Sequence, residues 1–217
     1  MLGSYYHVGL RESEQMFTYL ELIEKAPLNL TAWKGDALWS RGVFDALDLN
    51  PCLESEVHGP GLDIGSGGGF PGMVLAIAHP ERAWFLMESR VRRQEFLVSV
   101  KDRLGLSNIS VVHARAERWI RENPERRESF EVVTMRAVAP FRVSLELGLP
   151  YVRLGGTLVL ATGMSTEDLG YEANFVKELG GRIRDGVRHG DGRRTAVIEK
   201  CSATPAKFPR LAKRLGL

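Results

Sequence analysis

The sequence predicts an α/β fold: a mostly parallel, seven-stranded sheet closed by a C-terminal antiparallel hairpin and preceded by an N-terminal helical extension. Three observations carry this. From residue 61 onward, short apolar runs rich in β-branched or aromatic residues alternate with stretches of helical periodicity, the pattern of parallel strands joined by right-handed crossovers. The first run ends in a dense glycine turn, GLDIGSGGGFPG (61–72). After the last helical stretch, RIRDGVRHG and RRTAVIEK meet across a DG pair with no room for a helix, so the final strand must enter antiparallel.

The elements follow in order. Residues 11–25 place Met16, Leu20 and Ile23 on one helical face, and Pro27 ends that helix. Residues 36–48 form a second helix with Trp39, Val43 and Leu47 in register. Both belong to the N-terminal extension (1–58), ahead of the main domain (59–200) and a basic tail (201–217). Gly61 to Gly65 is the first strand, and AWFLME, ISVVHA, FEVVTM and TLVLAT read as the next four. Between them, Pro71 to Ala78 is a helix opened by proline, and Val91 to Leu104 one with Leu97, Val100 and Leu104 inward and Gly105 as its stop. A short charged helix follows Arg115. Residues 140–154 make another, interrupted by Pro150, and 165–179 the last, capped by Ser165 or Thr166.

The chain of 217 residues, 44% hydrophobic and 26% charged, suits one α/β domain with a short appendage. The apolar run Met73 to Ala78 is far too short to span a membrane, and the N-terminus lacks the charged-then-apolar pattern of a signal peptide. Cys52 and Cys201 lie outside any CxxC pair, which points to a reducing, cytoplasmic setting. His7, His58, His79, His113 and His189 form no ligand spacing, so no metal is expected. The tail holds Lys207, Arg210, Lys213 and Arg214 and no acid; a polyanionic partner and a solvated terminus explain it equally well.

GGGFPG (67–72) formally fits the dinucleotide fingerprint, yet Gly65 and Ser66 stand between it and the strand. The better register is Asp63-x-Gly65-x-Gly67-x-Gly69, which looks like the first motif of class I S-adenosylmethionine methyltransferases. That cofactor has no pyrophosphate for a helix N-terminus to bind. It has an ammonium and a sulfonium, which an acid beside the turn accommodates, and glycines let the backbone come close. Glu88, closing the second strand, is placed to grip the ribose hydroxyls. After the fourth strand, TMRAVAPF carries neither the Asn/Asp-Pro-Pro-aromatic signature of exocyclic amine methylation nor a cysteine nucleophile. Arg136 stands there instead.

DIGSGGGFPG, RAE (115–117), TMRAVAP, TPAKFPR and NLTA (29–32) together resemble the RsmG family, also called glucose-inhibited division protein B. The resemblance runs from about residue 28 to 210. It implies S-adenosylmethionine-dependent methylation of guanine N7 in 16S ribosomal RNA, on bare RNA or on the small ribosomal subunit; a monomer is expected. By the resemblance Gly65 and Phe70 line the cofactor pocket, and Ala116 and Glu117 lie at the adenine. The chain departs from the family pattern at Gly42 and Thr195, where the family has histidines, and at Thr162, where it has lysine.

Guanine N7 carries an exposed lone pair and needs no general base, so Arg136 is expected to bind and orient rather than to move protons. Arg41, Arg115, Arg194, Lys207 and Arg210, with Arg90, Arg92 and Arg93, are the candidates for phosphate contact. A small-molecule methyltransferase and a non-catalytic RNA-binding module that retains the cofactor pocket remain the alternatives.

Overall fold

The computed structural model describes residues 8–53, 59–162, 166–189, 194–210 and 216. The DG pair, His7, His58, Ser165, Lys213 and Arg214 lie outside them. The sheet has seven strands: β1 (Gly61–Ile64), β2 (Trp84–Glu88), β3 (Ile109–His113), β4 (Phe130–Arg136), β5 (Val152–Thr162), β6 (Gly181–Arg188) and β7 (Arg194–Lys200). Their order is β3-β2-β1-β4-β5-β7-β6. The first five run parallel, and β7 lies antiparallel to both β5 and β6, as the hairpin reading requires.

Central strands of a parallel sheet must be apolar on both faces, and every residue of β1 is buried. One face is covered by α1 (Leu10–Lys25), a π-helical turn Leu38–Phe44 that runs into α2 (Asp45–Leu47), α3 (Gly72–Ala78) and α4 (Val91–Leu104). The other carries α5 (Ala116–Glu122), α6 (Phe141–Gly148), α7 (Thr166–Tyr171) and α8 (Ala173–Glu178). Met16, Leu20 and Ile23 are buried as the periodicity predicts, and Tyr19 joins them. No helix among the described residues is long and apolar enough to cross a membrane.

Three helices depart from expectation. The helix expected over 140–154 stops at Gly148; a 3-10 turn, Leu149–Tyr151, carries Pro150 past it, and Val152 already pairs with Phe130 as the start of β5. The helix expected over 165–179 is two short ones, with Gly170 weakening the first. The segment 36–48 winds into a π turn around Gly42, where a Cβ would come within 2.7 Å of the Phe70 ring. Val43 and Leu47 are buried in register, while Trp39 is half-buried.

Residues 201–210 are strapped to the body. Arg127 donates to the carbonyls of Thr204, Pro205 and Phe208, Arg121 to that of Pro209, and Phe208 is buried. Beneath the strap Lys200 is fully buried, its Nζ 2.8 Å from the Leu149 carbonyl and 3.1 Å from Glu128 Oε1, and burial pulls its pKa down. Deleting one partner strands a buried charge. Glu128→Ala is therefore expected to cost about 3 kcal/mol, a fall in Tm of roughly 6–12 °C; calorimetry showing an unchanged Tm would remove the pair from the determinants of the fold.

Candidate active site

The site is built at the carboxyl ends of β1, β2, β4 and β5, where open α/β sheets bind ligands. After β1 the chain turns sharply: the N–H groups of Gly65 and Ser66 both donate to the Met87 carbonyl (2.8 and 3.0 Å). Gly67 has φ +58°, and a Cβ built on it would meet nothing closer than 3.7 Å, so the space before it is open while its conformation excludes most side chains. Gly65 lies under Val138, and Gly69 is pressed against Tyr19 and Met73. The Phe70–Pro71 peptide is cis.

Two carboxylates hold this turn. Glu88 accepts from the Gly67 N–H (3.0 Å) and the Arg90 N–H (2.8 Å), latching the turn to the start of α4. Asp63 is buried, with Oδ1 2.7 Å from Thr134 Oγ1 on β4 and Oδ2 3.3 Å from the Gly72 N–H that opens α3. Burial pushes its pKa up to about 6, against the lowering effects of Thr134, Ser66, Arg136 and Gly72. Beside them the Ala116 carbonyl accepts the Tyr151 hydroxyl (2.6 Å), and Glu117, buried, takes Arg115 Nε at 3.0 Å. The β2–β3 register sets Glu88 opposite His113, three residues before Ala116.

Arg136 ends β4. Its Nη1 donates to the Arg41 carbonyl (3.0 Å), and its guanidinium lies over Trp33 (4.5 Å) and Phe70 (5.2 Å). It lines a cavity of about 220 Å³ between the N-terminal segment (Trp33, Asp45) and the hairpin (His189, Thr195), with Pro71 of the glycine turn also on its wall. His189 is buried, Nδ1 3.1 Å from Asp48 Oδ2 and 3.4 Å from Asp45 Oδ1, Nε2 2.8 Å from Thr195 Oγ1. An imidazole from just past β6 thus stands against Thr195 on β7. This cluster escaped the sequence reading, because Asp45 and His189 are far apart in the chain and no local pattern joins them.

The expected phosphate-contact residues divide. Arg194 lines the cavity and Arg41 touches Arg136. Arg93 reaches toward Gly67 and the Asn29 carbonyl, Arg90 opens α4 and Arg92 is exposed on its first turn. Lys207 and Arg210 stand elsewhere: Lys207 pairs with Glu178 (2.8 Å), and Arg210 forks onto the fully buried Glu146 (2.6 Å). A buried carboxylate needs a partner, which Arg210 supplies to Glu146, whereas the Lys207–Glu178 pair lies exposed at the surface.

The family model described as rRNA small subunit methyltransferase G matches residues 12–182. Ribosomal RNA small subunit methyltransferase G of Acetivibrio thermocellus is 34% identical over 205 residues, 91% of this chain and 84% of that protein. The namesake from Syntrophomonas wolfei is 42% identical over 161 residues, 72% of this chain and 73% of that protein. Among solved structures, M. jannaschii TYW2 in complex with AdoMet superimposes with a TM-score of 0.52 at 15% identity, over 74% of this chain and 75% of that one.

Two outcomes are expected. Gly67→Val folds, at a strain cost of about 1–2 kcal/mol, but loses calorimetrically detectable S-adenosylhomocysteine binding; normal binding would make the turn purely structural. For Asp63, a raised carboxyl pKa means that the folded state holds its proton more tightly than the unfolded chain, near 3.9. Its destabilisation is absent below about pH 4 and complete above about pH 6. The stability of Asp63→Asn relative to the parent should therefore rise by about 2–3 kcal/mol across that window in urea titrations. A flat difference would assign the slope to other groups.

Proposed function

The chain belongs to the rRNA small subunit methyltransferase G family, and we propose that it transfers a methyl group from S-adenosylmethionine to N7 of a guanine in 16S ribosomal RNA. The observation that carries this reading is Arg136, held at the end of β4 by Trp33, Phe70 and the Arg41 carbonyl, between the glycine turn and the cavity. S-adenosylmethionine, when bound, supplies an electrophilic methyl on a sulfonium.

The residues present fit that cofactor. Gly67 leaves open space, and Glu88, with two of its roughly four lone-pair sites taken by backbone N–H groups, keeps capacity for ribose hydroxyls. Gly65, Gly69, Phe70, Ala116 and Glu117 complete the cofactor side. Asp63 acts through the turn it ties down, since both its oxygens already serve Thr134 and Gly72.

The methyl acceptor needs no base, because N7 attacks with its own lone pair. The protein's task is alignment, worth up to about 7–11 kcal/mol when reacting atoms are held in line. Arg136 orients the base or a flanking phosphate through its planar fork. Arg41, Arg90, Arg92, Arg93, Arg115 and Arg194 supply phosphate contacts that position the RNA without reading its sequence. Lys207, exposed beside Glu178, is a further candidate for phosphate contact, while Arg210 is engaged by the buried Glu146.

Arg136→Ala is expected to slow methyl transfer to unmethylated small-subunit particles roughly 10- to 100-fold, the loss of a charged hydrogen-bonding group. Arg136→Lys recovers part. The pH profile of the residual rate stays as in the parent, because a guanidinium does not titrate. Parental activity in the alanine variant, or a lost titration in its pH–rate profile, would remove Arg136 from the reaction.

A further inference from the structure

A larger cavity, of about 630 Å³, opens on the N-terminal segment where the chain leaves α1; Glu24, Asn29, Trp33 and Lys34 are on its wall. It backs onto the glycine turn: a Cβ on Gly68 would come within 3.2 Å of Ile23 and Leu30, which also line it. Trp33 belongs to this cavity and to the smaller one beside Arg136, so a single indole joins the two.

That indole is firmly held. Arg136 lies over it at 4.5 Å, Phe70 meets it at 6.0 Å and 64°, and the Trp33 backbone N–H donates to Thr31 Oγ1 (3.2 Å). The guanidinium lies over Phe70 as well, at 5.2 Å, in the angle between the two rings. Both partners therefore address the same side of the indole, and among the described residues no ring or cation packs on the opposite side. Cations stand close by. Lys34 is exposed on the wall, and Arg93 reaches the Asn29 carbonyl. The acid on this wall, Glu24, accepts from the Gly35 N–H (3.1 Å).

A base that enters the smaller cavity leaves its stack, and its neighbour in the strand loses the ring that covered it. A fixed aromatic face at the junction of the two cavities replaces the lost partner, as unpaired bases stack on aromatic side chains elsewhere. We propose that the larger cavity is a second RNA subsite, which takes the unpaired nucleotide next to the target guanine, its base stacked on Trp33 and its phosphate met by Lys34 and Arg93. The assignment rests on the RNA reading above. Every base has a π-face, so this subsite fixes the strand without selecting its sequence.

The protein saturated with S-adenosylhomocysteine is titrated with a short single-stranded oligoribonucleotide holding one guanine, and with the same strand made abasic on both sides of that guanine. Charge and target base are then equal, and only the neighbouring rings differ. The parent is expected to bind the intact strand roughly 5- to 150-fold more tightly. Trp33→Ala brings the ratio near one, and Trp33→Tyr, which keeps a ring, retains part of it. Lys34→Ala weakens both strands alike and flattens the salt dependence. S-adenosylhomocysteine binding stays unchanged in all three, which also reports them as folded. A preference that survives in Trp33→Ala, or equal binding of both strands by the parent, would overturn the subsite. An equal loss for both strands in Trp33→Ala would too, since the indole would then act only by holding Arg136. Lost S-adenosylhomocysteine binding in that variant would give the cavity to the cofactor instead. A parent that binds neither strand likewise overturns the subsite. Methyl transfer to unmethylated small-subunit particles, measured beside these titrations, tests the RNA reading separately, and only its absence sinks that reading.

Discussion

The architecture of the site hangs on one buried carboxylate. Asp63 sits at the centre of the sheet, bonded to Thr134 on β4 and to the N–H that starts α3. These bonds bring three elements together: the strand that delivers the glycine turn, the strand that ends in Arg136 and the helix the turn must enter. Burial raises the carboxyl pKa to about 6, so holding the charge there opposes folding at neutral pH. What offsets this is geometry. The turn between Asp63 and Gly72 is tied at both ends and has little freedom left to vary in shape.

A second constraint joins the N-terminal segment to that frame. Phe70 packs 5.2 Å from Tyr19 and 6.0 Å from Trp33, and Arg136 lies over both Phe70 and Trp33. The ring can sit there because residue 42 is glycine. The π turn brings that glycine, and with it the Arg41 carbonyl, close to the carboxyl end of β4. Glycine at position 42 thus leaves room for the Phe70 ring, and the imidazole on the cavity wall comes from His189, just past β6.

The two faces of the sheet use cations differently. On the cavity side, Arg136 and Arg194 line the wall, Arg136 held by the Arg41 carbonyl. On the far side, Arg121, Arg127, Lys200 and Arg210 are tied to carbonyls and carboxylates around residues 201–210.

The sequence by itself determined the order of strands and helices, the antiparallel hairpin, the register of the glycine turn and the place of Arg136, because each is written in local pattern: apolar runs, turn residues, a fixed offset from a strand end. Helix ends were less legible. Proline and glycine signalled trouble at Pro150 and Gly170, but where a helix yields to a strand was settled by pairing across the sheet, as Val152 with Phe130 shows. Only the tertiary structure decided who meets whom over long separations. It turned Glu88 into a latch on the turn, paired Arg210 with the buried Glu146, and set His189 between Asp45, Asp48 and Thr195. No periodicity encodes those meetings, because they follow from how the hairpin folds back on the N-terminal segment, a constraint distributed over the whole core.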